Sequence, residues 1–337
     1  MFISKIPFRC VLALMVVFVC ASCAMSDSGR KGGGERQKKE KQQHYKTFNA
    51  DSAYTHIARQ VSFGPRVPGS EGHAMCRNYI MGVLESIGVD TVIVQSAVVE
   101  AFNGDKLPIA NIIARINSEK DRRVLLAAHW DTRPWADNDE NEELRDKPIL
   151  GANDGGSGVG VLLEIARNLV ATRPSIGVDL FFFDAEDYGS RESDGGDSDS
   201  WCLGSQYWEQ HPVPYADGRK PAYGILLDMV GGRDARFYVE ALSLYNAERA
   251  TLKVWNEAKS IGHGDIFCSE IGGAVTDDHI ILTRAGIPTT DIIELNNIGT
   301  QSFPPTWHTH NDNMEFIDCS SLRAVGETVL SVIYKER

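Results

Sequence analysis

Cysteine is scarce and poorly spaced for a metal module. Of seven, Cys10, Cys20 and Cys23 fall within the first 23 residues, and Cys76, Cys202, Cys268 and Cys319 lie far apart. No zinc-finger spacing exists among them, and any pairing of the last four, which an oxidising compartment permits, is left open by the sequence. Long apolar runs are also missing. The stretch Val11–Val19 is too short to span a bilayer comfortably. With 42% hydrophobic and 24% charged residues in 337, the chain is neither a multi-span membrane protein nor disordered throughout, and it is long enough for a sizeable core. Basic residues are in deficit where it matters. Beyond residue 47 there are 25 Lys and Arg against 43 Asp and Glu, a charge of about −18. So acidic a body is a poor candidate for gripping phosphate backbones, which excludes nucleic acid as the expected partner. No internal repeat is present.

Lys5 and Arg9 precede the apolar run, and the small residues Ala21 and Ser22 follow it, just before Cys23. This is the pattern of a secretory signal over residues 1–23, predicting an exported, periplasmic protein. The placement of Cys23 resembles a bacterial lipoprotein processing site, at which lipid on that cysteine would attach the protein to a membrane. Cys20 stands where such sites usually have Leu, and ordinary cleavage near Ala24 is the alternative. Residues 24–47 are rich in Gly, Lys, Gln and Arg without apolar periodicity, and read as a flexible tether.

Residues 48–337 read as a single α/β domain. Helices are expected from Asp51 to Val61, from Ser70 to Ile87 with Gly88 closing, over Gly158–Ala171, Ala247–Ile261 and Asp278–Ala285, and from Ser320 onward. Strands are expected at Thr91–Val99, Ile109–Ile116, Val124–Trp130, Val178–Phe183, Gly224–Met229, Arg236–Glu240 and Thr289–Ile293. Val124–Ala128 and Leu180–Phe183 are apolar on both faces, as in the buried centre of a largely parallel sheet. Residues 190–200, rich in Asp, Ser and Gly, are expected to form an exposed loop.

Chemistry-bearing residues recur just past the strand ends, where open α/β sheets place their sites. These are His129 and Asp131; Asp154 within Gly151–Gly156; Asp184, Glu186 and Asp187; Asp228; and His308, His310 and Asp312. Each alone means little. Together they bring carboxylates and imidazoles to one crevice, where like charges repel unless a cation neutralises them, and mixed His, Asp and Glu ligands suit Zn²⁺.

The motifs Ala127-Ala128-His129-Trp130-Asp131, Gly151 to Gly156, Phe182 to Asp187, Leu226 to Met229 and Trp307-His308-Thr309 resemble, in this order, those of the zinc-dependent aminopeptidase and glutaminyl cyclase superfamily. The resemblance runs from Asp51 to the C-terminus. It implies a three-layer α/β/α sandwich around a mixed, mainly parallel twisted sheet. Two branches are open. In the aminopeptidases, His129, Asp154, Asp187, Asp228 and His308 would hold two zinc ions. The cyclase branch is favoured by Asp277-Asp278-His279-Ile280, by Trp307 before His308, and by Phe303-Pro304 upstream. Asp187 departs from the animal cyclases, which have Glu there, and points to a bacterial form.

The cyclase resemblance implies one zinc per chain on Asp154, Asp187 and His308, with Glu186 as proton carrier and Asp277 in its hydrogen-bond network. It implies a substrate-binding wall from Trp307, with Trp201 and Trp135 as weaker candidates, and His129 and Asp228 as supporting groups. The expected partners are peptides or proteins beginning with glutamine. A catalytically dead binding module on a tether is a third reading, which the retention of Glu186 and every ligand disfavours.

Overall fold

The computed structural model describes residues 47–337 apart from Ile298. The expected signal sequence, Cys23 and most of the tether lie outside the described residues. Among those described, no helix is long and apolar enough to cross a membrane.

Helix α1 (Ala50–Val61) is capped by Asn49, whose side chain accepts from the amides of Asp51 and Ser52, and not by Asp51 as the sequence suggests. Both residues are good caps, and the cap falls two residues earlier because Asn49 has the extended backbone of a cap whereas Asp51 is already helical. Helix α2 (Glu71–Ile87) has the expected boundaries: Ser70 caps it, and Gly88 ends it at φ +80°. A β-hairpin follows, β1 (Thr91–Glu100) and β2 (Lys106–Ile116), and then β3 (Arg123–His129). Helix α3 (Gly156–Ala171), β4 (Gly177–Phe183), α4 (Leu203–Gln210) and β5 (Gly224–Asp228) come next. The chain ends with β6 (Phe237–Val239), α5 (Ala241–Ile261), β7 (Phe267–Ile271), α6 (Asp278–Arg284), β8 (Thr289–Ile293) and α7 (Cys319–Lys335).

Six strands form one sheet in the order β1-β2-β4-β3-β5-β8. The pairs β4/β3, β3/β5 and β5/β8 are parallel, whereas β1/β2 and β2/β4 are antiparallel. β6 and β7 make a separate parallel pair. The strand side chains alternate between two cores, as a period of two requires. Leu126, Ala128, Leu180, Phe182, Ile225 and Leu227 point into the larger core with α1, α2, α3 and α7. Leu125, Ala127, Phe181, Phe183 and Leu226 point into the other, against Trp208 of α4 and Leu282 of α6. The result is a sheet covered by helices on both faces, with the C-terminal ends of β3, β4, β5 and β8 side by side along one rim.

Candidate metal centre and cavity

Strand β3 delivers His129 to this rim and then Asp131. The Asp131 carboxylate accepts from the backbone amides of Glu186 (3.0 Å) and Asp187 (3.2 Å), which fixes the loop after β4. Asp312 does the same for the loop before α3, accepting from the amides of Asn153 (2.7 Å) and Asp154 (3.0 Å). Both acids therefore serve as anchors for other candidates. Gly155 makes the turn beside Asp154 possible: it sits at φ +83°, and a Cβ there would lie 2.4 Å from the Asp131 carbonyl oxygen. Ala185, Cys202, Met229 and His308 also occupy the left-handed region, with φ of 50°, 57°, 48° and 56°. Such conformations cost free energy in non-glycine residues and cluster where a fold over-determines a site.

Two ligand sets share Asp154. In one, ligand atoms of Asp154, Asp187 and His308 lie within 4.8 Å of one another; in the other, those of His129, Asp154 and Asp228 do. All five residues are buried, Asp228 at 9% exposure being the least so. The two sets differ in how well they are satisfied internally. His129 Nε2 lies 3.1 Å from Asp228 Oδ1 and 3.1 Å from Asp154 Oδ1, so the second set closes on itself through one imidazole. In the first set, both Asp187 oxygens and Asp154 Oδ2 are buried without a hydrogen-bond partner, and His308 Nε2 faces Asp187 Oδ1 at 3.2 Å and Asp154 Oδ2 at 3.6 Å. Buried orphan carboxylate oxygens beside an imidazole nitrogen are what a divalent cation satisfies, and the mixed oxygen and nitrogen donors fit zinc. Burial raises Asp187 to about 6, with Asp154 adding repulsion against the pull of His308.

A cavity of about 380 Å³ opens over these ligands. Glu186, Asp277, Trp201, Phe303 and Trp307 line it together with Asp154, Asp187, Asp228 and His308. Burial, reinforced by Asp277, Asp187 and Asp278, holds the Glu186 carboxyl well above the usual range although His129 pulls the other way. Asp277 caps α6 and is 3% exposed, one of its oxygens having no partner. Trp307 stacks on His308 at 3.8 Å between ring centroids and touches Phe303 at 4.3 Å; Trp201 lies parallel to His308 at 5.9 Å.

Most sequence candidates thus converge, with three exceptions. Trp135 is not part of the cavity lining: its ring packs edge-on to Tyr188 and Phe102 and beneath the guanidinium groups of Arg133 and Arg191. Asp184 turns away to pair with His73 at 2.9 Å, and His310 is held by Asp139 at 3.0 Å. Two residues were missed. Cys202 is 1% exposed, and its thiol donates to Glu186 Oε1 at 3.4 Å. Asp137 lies 3.2 Å from His308 Nδ1. Neither has a local signal, since a lone Cys and one more Asp in an acidic stretch look ordinary. The loop of residues 190–200 is exposed over residues 192–199 as expected, but Ser190 and Ser200 at its ends are buried, and Ser190, Arg191, Glu192, Gly196 and Ser198 also reach the cavity wall.

The profile of Peptidase family M28 matches residues 111–333. Among solved structures, the chain is similar to a Tannerella forsythia glutaminyl cyclase, with 52% identity over 86% of this chain and 100% of the other and a TM-score of 0.83. It is similar to a Bacteroides thetaiotaomicron glutaminyl cyclase bound to N-acetylhistamine, with 49% identity over 86% and 99% and a TM-score of 0.83. A Zn-dependent exopeptidase from Parabacteroides distasonis is also similar, at 46% identity over 86% and 99%, with a TM-score of 0.82.

Proposed function

The chain belongs to peptidase family M28, and we propose that within it this protein is a glutaminyl cyclase: it closes the N-terminal glutamine of peptides and proteins into pyroglutamate, releasing ammonia. The observation that carries this reading is the asymmetry of the two ligand sets. Both Asp187 oxygens and Asp154 Oδ2, beside His308, are buried and unpartnered, whereas His129 and Asp228 bond to each other. Peptide hydrolysis by two metals needs both sets free for metal and a water between them. Cyclisation brings its own nucleophile, the substrate's α-amine, and needs one Lewis acid.

Asp154, Asp187 and His308 would hold one Zn²⁺, which supplies electrophilic polarisation of the glutamine side-chain carbonyl. Glu186, buried in the same cavity, takes the proton from the attacking amine and returns it to the departing ammonia. Its raised proton affinity suits it to hold that proton between the two steps. Asp277, which adds to the negative field at Glu186, takes part in this proton handling. Trp307, Phe303 and Trp201 wall the slot for the short, uncharged side chain. Since amine and carbonyl belong to one residue, the cavity's main task is to orient them for a five-membered closure.

Mass spectrometry of a Gln-initiated peptide after incubation tests the reading: the mass falls by one ammonia if the proposal holds, whereas loss of the whole residue would establish an aminopeptidase. Elemental analysis tests the metal count. One zinc per chain, emptied by His308→Ala and retained in His129→Ala, is expected; two, with one lost in His129→Ala, would overturn the one-metal reading. The proposal includes export through residues 1–23 to the periplasm, with lipid on Cys23 as the membrane anchor. Release of Cys23→Ser from the membrane fraction of expressing cells is the corresponding test.

A further inference from the structure

His308 is oriented from its far side. Its Nε2 faces the oxygens of Asp187 and Asp154, and its Nδ1 lies 3.2 Å from Asp137 Oδ1. Asp137 is in turn fixed by Arg133, whose Nε and Nη2 donate to its two oxygens at 2.9 and 2.7 Å. The third nitrogen of that guanidinium, Nη1, donates to the carbonyl oxygens of Asp187 (3.0 Å) and Gly189 (3.1 Å). The Arg133 guanidinium carbon also lies over the rings of Trp201 and Trp135, 4.5 and 5.2 Å from their centroids. The amide of Asn138 donates to the His308 carbonyl at 3.2 Å, joining the same two loops through their backbones.

An Arg and Asp four residues apart are commonly a solvated surface pair of little consequence. Here the Arg133 side chain is 1% exposed, and its donors are divided between Asp137 and the backbone of a candidate metal ligand. We propose that Asp137 is a positioning residue for the metal site: it accepts a proton-bearing Nδ1 of His308, fixes that tautomer, and leaves the Nε2 lone pair directed between Asp187 and Asp154, while Arg133 ties this arrangement to the Asp187 loop. A carboxylate behind a ligating imidazole both orients the ring and increases its basicity. The pair thereby couples two ligands that are 121 positions apart in sequence. Trp135, which covers Arg133 instead of lining the cavity, acquires a role in the same assembly.

The inference rests on zinc occupying the set Asp154, Asp187 and His308, and its test separates the two. Zinc affinity is measured on the full-length protein by competition with a chromophoric chelator, for wild type, Asp137→Asn and Asp137→Ala. Both variants are expected to bind zinc roughly 10- to 100-fold more weakly, the usual cost of losing such a partner. The visible spectrum of the Co²⁺-loaded Asp137→Asn protein should differ from that of wild type, a change in ligand geometry that a merely structural role would not produce. If Asp137→Ala fails to fold, Asp137→Asn decides alone. Wild-type zinc binding with unchanged affinity and unchanged cobalt spectrum in Asp137→Asn would overturn the inference and leave the cyclase reading standing. A wild-type protein that binds no zinc would overturn both.

Discussion

Glu186 and Asp187 are neighbours with different proposed tasks, and the backbone separates them. The left-handed Ala185 and the two hydrogen bonds that the Glu186 and Asp187 amides donate to Asp131 turn the loop so that Asp187 meets His308 while Glu186 enters the cavity beside Cys202 and Asp277. Replacing Glu186 by Gln keeps the volume and leaves the candidate ligand set intact, but removes the proposed proton acceptor. Zinc content should therefore stay at the wild-type level while kcat falls by roughly 10²-fold or more. Near-normal turnover would remove Glu186 from the mechanism. At this scale the sequence was informative wherever a residue type was rare for its context, as with His or Glu after a buried strand. It was silent on Asp137 and Cys202, whose roles depend on partners 171 and 16 positions away. It did not separate Trp135, which lies beneath an arginine, from Trp201 and Trp307, which line the cavity.

At the scale of elements, the buried strands were legible because their residues are apolar in both alternations, and the site was legible because strand ends place it. Helix α4 was not foreseen: its eight residues follow the acidic loop, and only Gly204, Ser205 and Trp208 are buried. Strand β7 is largely exposed and pairs only with the three-residue β6, so neither periodicity nor apolar content marks it. Helix α5 begins six residues before the expected Ala247, because Glu240 caps it through the amides of Leu242 and Ser243; Ala247 itself is a kink at φ −136° and ψ 35°. Helix α3, which carries Asp154 at its entrance, lies unusually close to β5. A Cβ on Gly158 would approach the Leu227 carbonyl oxygen to 2.2 Å. Gly158→Ala should push α3 off the sheet and destabilise the protein by roughly 1–3 kcal/mol, in spite of alanine's better helix propensity. Chemical denaturation checks the sign, and a stabilised variant would show that the contact yields without strain.

The whole molecule is acidic inside as well as outside, and two consequences can be measured. Glu294 is 2% exposed, with one oxygen bonded to Asn297 and the other without a partner. Burial pushes its carboxyl up to about 7; the Asn297 bond opposes this and Asp234 adds to it. A carboxyl whose folded-state proton affinity is raised favours folding fully only below its ordinary value of about 4.5. That contribution is lost as pH rises from there towards about 7. Glu294→Gln should flatten this part of the stability–pH curve, gaining on wild type at pH 7 and not at pH 4; parallel curves would show that Glu294 titrates normally. The larger consequence concerns the candidate metal centre. Asp154, Asp187, Asp228, Glu186 and Asp277 are all buried around one cavity, within a body carrying about −18 of charge. A divalent cation bound only by the folded state stabilises it in proportion to the logarithm of its free concentration relative to Kd, about 4 kcal/mol at a thousandfold excess. Chelation should accordingly lower Tm by roughly 10 °C, and added Zn²⁺ should restore it. Salt separates the buried origin of the effect from a surface one. Exposed charges are screened over about 10 Å at 0.1 M ionic strength, but buried ones much less. The gap between chelated and zinc-loaded protein should therefore persist in about 0.5 M NaCl. If salt alone closed it, the repulsion relieved by zinc would belong to the protein's surface and not to the five carboxylates around the cavity.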